Sequence, residues 1–276
     1  MLLSNNERNI FMSDKITNKI SLLDLPDLPD SIDNAIKNLT DSPTQNIGRT
    51  FGDIWFLVFG GISAKADKKK LKYAFDIEKY KKELNQALNQ IPEDKQVEPT
   101  MQVTAQALEN SKYCISSDEL RKMFVNLISG SMNADTASLA HPAFPEIIKQ
   151  LSPQDALVLQ DIYFSNKTPL PIVSIGTYTI DGGHNILYNN VFICNVADSA
   201  AVSFSIDSLQ RANLISVDYG QYIYDDDVYN KFKELPEYKF ADINNSACHQ
   251  YPYFKKGLLQ LTSFGKAFCS ICIKQN

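Results

Sequence analysis

Residues 116–164, SSDELRKMFVNLISGSMNADTASLAHPAFPEIIKQLSPQDALVLQDIYF, constrain the fold more than any other part of the chain. Three helix starts follow one another there. Ser116 stands three residues before Glu119, the spacing of a capping box, in which two side chains satisfy backbone donors at a helix start. Leu120, Met123, Phe124, Leu127 and Ile128 then recur at helical spacing on one face. Pro142 and Pro145 sit where a helix can begin but not where one can continue. Ile147, Ile148 and Leu151 follow as an apolar face. Ser152-Pro153 supplies an N-cap and a proline at the first helical position. Ala156, Leu157, Leu159, Ile162 and Tyr163 leave little of that third helix polar. The stretch reads as a helical core with sharp corners and displays no obvious reactive group.

Upstream, residues 1–28 are polar and weakly patterned and read as a loosely packed or disordered tail. From residue 29 to 151 the pattern is helical. Ser31 or Asp30 can cap a short helix through Leu39. Residues 46–70, NIGRTFGDIWFLVFGGISAKADKKK, hold the most apolar patch of the chain and its only tryptophan. Two readings stay open for it. One is a buried core helix whose glycines let backbones approach. The other is a segment that inserts into a membrane interface, because eight lysines and three acids occupy residues 65–82, a local +5 that favours anionic lipid. Phe51, Trp55, Phe56 and Phe59, with Lys68, Lys69 and Lys70, are the candidate interaction residues. Crossing a bilayer is not expected, since about 12 helical residues rise only about 18 Å. Residues 67–91 read as a long amphipathic helix stopped by Pro92. Thr100 or Thr104 caps a further helix to about Tyr113.

After Lys167 the pattern changes. LPIVSIGTYTI (170–180) is rich in β-branched residues and suits a strand. Asp181-Gly182-Gly183 is a turn, and a second strand is expected around 191–196. A helix is expected at about 203–213, a hairpin arm at 217–226, a helical insertion at 228–235 and a returning strand at 257–262. Thr262 caps a last helix. The order helix, strand, loop, strand, helix predicts a winged-helix-like domain over 152–276. The fold class expected is therefore α+β, mainly α, a helical N-terminal region followed by that domain.

The chain of 276 residues carries a net charge of −5, with no cationic excess in either half, which does not suit a protein that coats nucleic acid. Five cysteines, an odd number among mostly apolar neighbours, fit reduced thiols in a cytoplasm better than a disulfide framework. The chain does not open on a charged-then-apolar leader, so no signal peptide is expected. The expected location is the cytoplasm, extending to the inner face of the membrane if the apolar patch binds it.

Candidate chemistry is sparse. His141 could act as a base near Glu146 or Glu119, or it could cap the helix that Pro142 starts or bond a loop carbonyl. Cys248-His249 and Cys269-x-x-Cys272 could hold zinc together, although adjacent ligands are awkward and the neighbours are core-like. Asp225, Asp226 and Asp227 lack the interleaving of a calcium loop. Ser205, Ser208, Gln210 and Arg211 are what helix 203–213 would offer DNA, beside a wing whose aspartates repel phosphate. GRTFGD lacks the ending of a P-loop. No catalytic residue, metal or cofactor is assigned.

IPEDKQVEP, ELRKMFVNLI, HPAFPEIIKQLSPQDA and the terminal LTSFGKAFCSIC together resemble the abortive infection alpha (Abi-alpha) family of bacterial proteins. The resemblance runs from about Pro29 to Ile273, and its middle motifs are the most specific. It implies a role in defence against phage, in which the infected cell stops growing or dies. It brings no catalytic residues. The function expected is thus a non-enzymatic effector or sensor that binds a protein partner, itself or a membrane surface. The alternatives are a winged-helix nucleic-acid regulator and an unrecognised hydrolase.

Overall fold

The computed structural model describes residues 49–59, 68–98, 100–165, 169–196, 199–245 and 251–273. The short helix expected before Leu39 lies outside them. The described elements run α1 (Arg49–Phe59), α2 (Lys68–Asn89), α3 (Met101–Ser111), α4 (Asp118–Ser131), α5 (Phe144–Gln150), α6 (Pro153–Phe164), β1 (Leu170–Tyr178), β2 (His184–Val191) and α7 (Ser199–Arg211). They continue with β3 (Ile215–Asp218), α8 (Asp227–Asn230), α9 (Pro236–Asn245), β4 (Tyr253–Leu261) and α10 (Ser263–Cys272). The fold is α+β, mainly α.

α4 is the hub. It packs on α2, α3, α5, α6 and α10. Its start differs by one residue from the expectation. Ser116 is still in the turn after α3, and Ser117 is the cap, accepting from the Leu120 N–H at 3.3 Å and donating to Glu119 at 2.8 Å. α6 begins as expected, on a full capping box between Ser152 and Asp155. α10 closes the molecule against α4 and α6. Gly130 lets it come close, since a β-carbon there would stand 2.6 Å from Ile271. The Asn126 amide then donates to the Cys272 carbonyl at 3.0 Å. At the other end of α10 the Thr262 hydroxyl accepts from Gly265 N–H at 2.8 Å. Gly265 itself lies so near Leu214 that a β-carbon would fall 1.8 Å from its carbonyl oxygen.

The four strands form one antiparallel, curled sheet in the order β2-β1-β4-β3. The expected β3–β4 pairing is present, from Ile215 opposite Leu261 to Asp218 opposite Leu258. It does not stand alone as a two-stranded wing, because β1 pairs with β4 along its length. β2 starts earlier than expected, at His184 opposite Tyr178 rather than near 191. The reason is the turn at 181–183. Gly182 takes a left-handed φ of 86°, and the Thr179 N–H bonds to the Gly183 carbonyl, so the chain returns at once. The arm expected at 217–226 is strand only to Asp218, and α9 had no counterpart in the sequence reading.

β1 is buried on both faces. Leu170 and Ile172 join the main core with α6 and α7, whereas Val173 and Ile175 join a second cluster with Val191, Tyr229, Phe232 and Ala241. Alternation along a strand places successive side chains on opposite faces, and helices cover both. The main core itself runs from Phe51 to Ile273.

Candidate functional site

α1 divides its apolar residues between two surroundings. Phe51, Trp55 and Phe59 are four residues apart and so share one face. All three are fully buried. The Trp55 ring lies 4.5 Å from Phe59 and 5.8 Å from Tyr80 of α2, centroid to centroid. Phe56 and Leu57 point the other way and are 51% and 81% exposed. Of the four aromatic candidates, therefore, Phe56 alone is presented to solvent, and three anchor the helix that presents it. Leu57, part of the apolar patch but not among the candidate residues, is the more exposed of the two. The spacing of Phe51, Trp55 and Phe59 was the available signal for it. Phe75 on α2 is also exposed, at 69%. Lys68, Lys69 and Lys70 form the first residues of α2; their side chains lie outside the described residues.

A second feature was invisible in the sequence. Arg121 of α4 is buried and bound on every side. Its Nε and Nη2 reach the two oxygens of Glu83 at 2.9 and 3.1 Å, Nη2 also reaches Asp118 at 2.8 Å, and Nη1 donates to the Ile115 carbonyl at 2.8 Å. Burial works against the cation, but the bonds to Glu83 and Asp118 outweigh it and raise its pKa. Arg121 and then Lys79 hold the Asp118 carboxyl below its ordinary range. Asp118–Arg121 spacing on a helix hints at the pair, but Glu83 lies 38 residues away. This network borders a cleft of about 410 Å³ between α2, α4 and α6, lined by Gln86, Glu119, Lys122, Met123 and Ile273 among others.

His141 and Glu146 each have their own partners. The His141 Nδ1 accepts from the Ala143 N–H at 3.1 Å, which closes the turn before α5, and its ring faces Phe144 and Phe264. Glu146 accepts from Gln150, Lys149 and Asn110. Those bonds, that of Gln150 foremost, lower its pKa.

Cys269 and Cys272 are buried on α10. Burial pushes the Cys269 thiol up to about 12 and Cys272 well above the ordinary value, which disfavours the thiolate a metal needs. Cys248 and His249 lie outside the described residues, and among the described residues no group of three or more His, Cys, Asp or Glu converges. In the aspartate run, Asp225 accepts from the Asp227 N–H, Asp226 pairs with Lys256 and Asp227 binds Asn230, so the three organise a turn. On α7, Ser205 is buried and Ser208 donates to Asp155. Gln210 accepts from Asn190, and Arg211 donates to Gln150. The side chains that helix would offer DNA are thus engaged within the fold.

The model of the family described as abortive infection alpha matches residues 72–272, which take in all four sequence motifs. The chain belongs to the abortive infection alpha family. Membership implies a role in phage defence by abortive infection. The match begins at Lys72, later than the resemblance placed it, so α1 precedes the matched stretch. No curated protein and no solved structure matches the chain. Among the described residues no helix is long and apolar enough to cross a membrane.

Proposed function

We propose that this abortive-infection protein acts by binding rather than by catalysis, as an effector or sensor whose N-terminal helix engages an anionic membrane surface. The observation that carries the reading is the split of α1. Three buried aromatics fix the helix in the core, and the same helix holds Phe56 and Leu57 out in solvent. A rigidly held apolar edge, followed in the sequence by a lysine-rich helix start, suits insertion at the headgroup level, where apolar contact and cation–phosphate attraction add. The lysines Lys68, Lys69 and Lys70 supply the second part. The α6 to α10 half is the partner-binding module in this reading. Kinship with a winged helix is supported by α7 followed by the β3–β4 pair and α10. The outer side of α7 carries exposed Phe204 and Asp207, a surface suited to protein rather than to phosphate.

Co-sedimentation of the full chain with vesicles of phosphatidylglycerol and phosphatidylethanolamine tests the membrane part. Binding is expected, weakening with salt and lost in the double variant Phe56→Ser, Leu57→Ser. Full-length protein that stays in the supernatant at low salt would refute it.

A further inference from the structure

Two surfaces of the chain complement each other, one on α2 and one between α6, β1 and α8. We infer that α2 of one copy docks through Phe75 and its flanking lysines into the acid-rimmed cleft of a second copy, so that the protein assembles head to tail. The inference rests on the reading of the α6 to α10 half as the binding module, and it names the site and the partner.

The inward side of α2 is fixed in the core by Ala74, Ile77, Tyr80 and Leu84, all buried. On its outward side Lys72, Phe75, Lys79, Lys82 and Gln86 follow at steps of three and four residues, and all five are exposed. Phe75 is 69% exposed. Lys72 and Lys79 stand within about 6 Å of it along the helix axis, one on either side. A ring presented by a fixed helix loses little freedom on docking. Helices commonly bind by laying such anchors in an apolar groove.

The cleft supplies the groove. It encloses about 590 Å³, room for an aromatic ring and the stems of two lysines. Phe164, Leu170, Phe192 and Phe232 line it. Its carboxylates are Asp161 of α6, with Asp225 and Asp227 at the turn into α8. Among the described lining residues Lys231 is the one cation. None of the three carboxylates is ion-paired among the described residues. Asp161 accepts from Cys194 and from the Asn195 amide, each at 3.3 Å, and Asp225 and Asp227 accept from their own turn. Asp226, between them, is taken by Lys256.

This charge pattern selects the occupant. The carboxylates repel phosphate, so neither a lipid headgroup nor a nucleic-acid backbone suits the cleft, whereas an apolar group flanked by cations does. The α2 stripe is such a group. It sets three lysines and no acid against three aspartates and one lysine.

Stripe and cleft are different surfaces, so the contact is heterologous, and each copy that donates its stripe still holds a free cleft. Copies therefore add in sequence. One helix stripe makes a small interface of the transient kind, so assembly follows concentration. Each added copy also brings another α1 edge, which multiplies affinity for a membrane surface.

Sedimentation velocity of the full chain reads assembly without lipid. The parent is expected to form species larger than one chain as concentration rises, and to lose them at about 0.5 M salt, where charges are screened within a few Å. Phe75→Ser removes the ring. The triple variant Asp161→Asn, Asp225→Asn, Asp227→Asn removes the charge and keeps an acceptor oxygen at each position. Each alone is expected to weaken assembly about tenfold or more, with Lys72→Glu, Lys82→Glu as a second stripe variant. Mixed in equal amounts, Phe75→Ser and the triple variant are expected to form a species of two chains and nothing larger, because one intact stripe meets one intact cleft and no further contact is left. A parent that stays monomeric at every concentration overturns the inference and leaves the reading of the binding module in place. Assembly that survives the triple variant overturns both. Mixed variants that remain single chains while the parent assembles overturn the head-to-tail contact.

Discussion

α1 and α4 are both apolar helices, and they are used in opposite ways. α4 buries ten of its 14 residues, one of them an arginine, because five other helices surround it. α1 buries one face and leaves two large apolar side chains in water. The difference is not one of hydrophobicity, since α1 is the more apolar of the two. It is one of position. A helix at the centre has neighbours for every face, and a helix at the margin keeps whatever its single packed side does not use. α4 therefore specifies the fold, and α1 has surface to spare for function.

That contrast can be broken by substitution. Phe124→Ala, in the middle of α4, is expected to cost about 4 kcal/mol in chemical denaturation. A loss under 1 kcal/mol would mean α4 is not the centre. Arg121→Ala should cost about 3 kcal/mol, because Glu83 and the Ile115 carbonyl lose their donor together. Arg121→Met should cost less, since it restores packing without a stranded charge partner. Thr262→Ala, which removes the cap that starts α10, should cost about 1 kcal/mol by the same measurement.

Leu57→Ser should stay within about 0.5 kcal/mol of the parent, as expected of an exposed side chain without a fixed partner. A large loss there would mean that α1 is core on both sides, and the functional reading of its outer face would fail with it. The smallest effect concerns pH. The Asp118 carboxyl has its pKa lowered in the folded chain by Arg121 and Lys79. Its contribution to stability is therefore present above the ordinary carboxylate range and is lost as pH falls through the lowered value. Thermal melts of Asp118→Asn should converge on those of the parent below about pH 4 and lie slightly lower above it.

Much of the fold was legible because its signals are local. Ser152-Pro153, Thr262 before Gly265, Pro92 after α2 and the turn at 181–183 each act within a few residues. So does the run of β-branched side chains that marks β1. What was missed needed distant partners. β2 was placed too late because its own residues are mostly exposed and polar, with little periodicity to mark them. α9 was missed because its apolar residues mark no single face: Ala241 is buried against the β1 cluster, while Phe240 and Ile243 are exposed. The pairing of β1 with β4 joins segments some 80 residues apart, and it turned an expected two-stranded wing into half of a larger sheet.

The candidate site shows the same division. The sequence by itself determined that residues 46–70 hold an apolar patch followed by a lysine-rich helix, that the family motifs build a helical core, and where most helices start. Only the tertiary structure decided which side of α1 faces water, that Glu83 meets Arg121, and that His141 and Glu146 are each held by separate neighbours. Helical periodicity depends on the spacing of residues along the chain, so it can be read from the order of the letters. Burial depends on what comes to lie across from a residue, and that is settled when the whole chain packs.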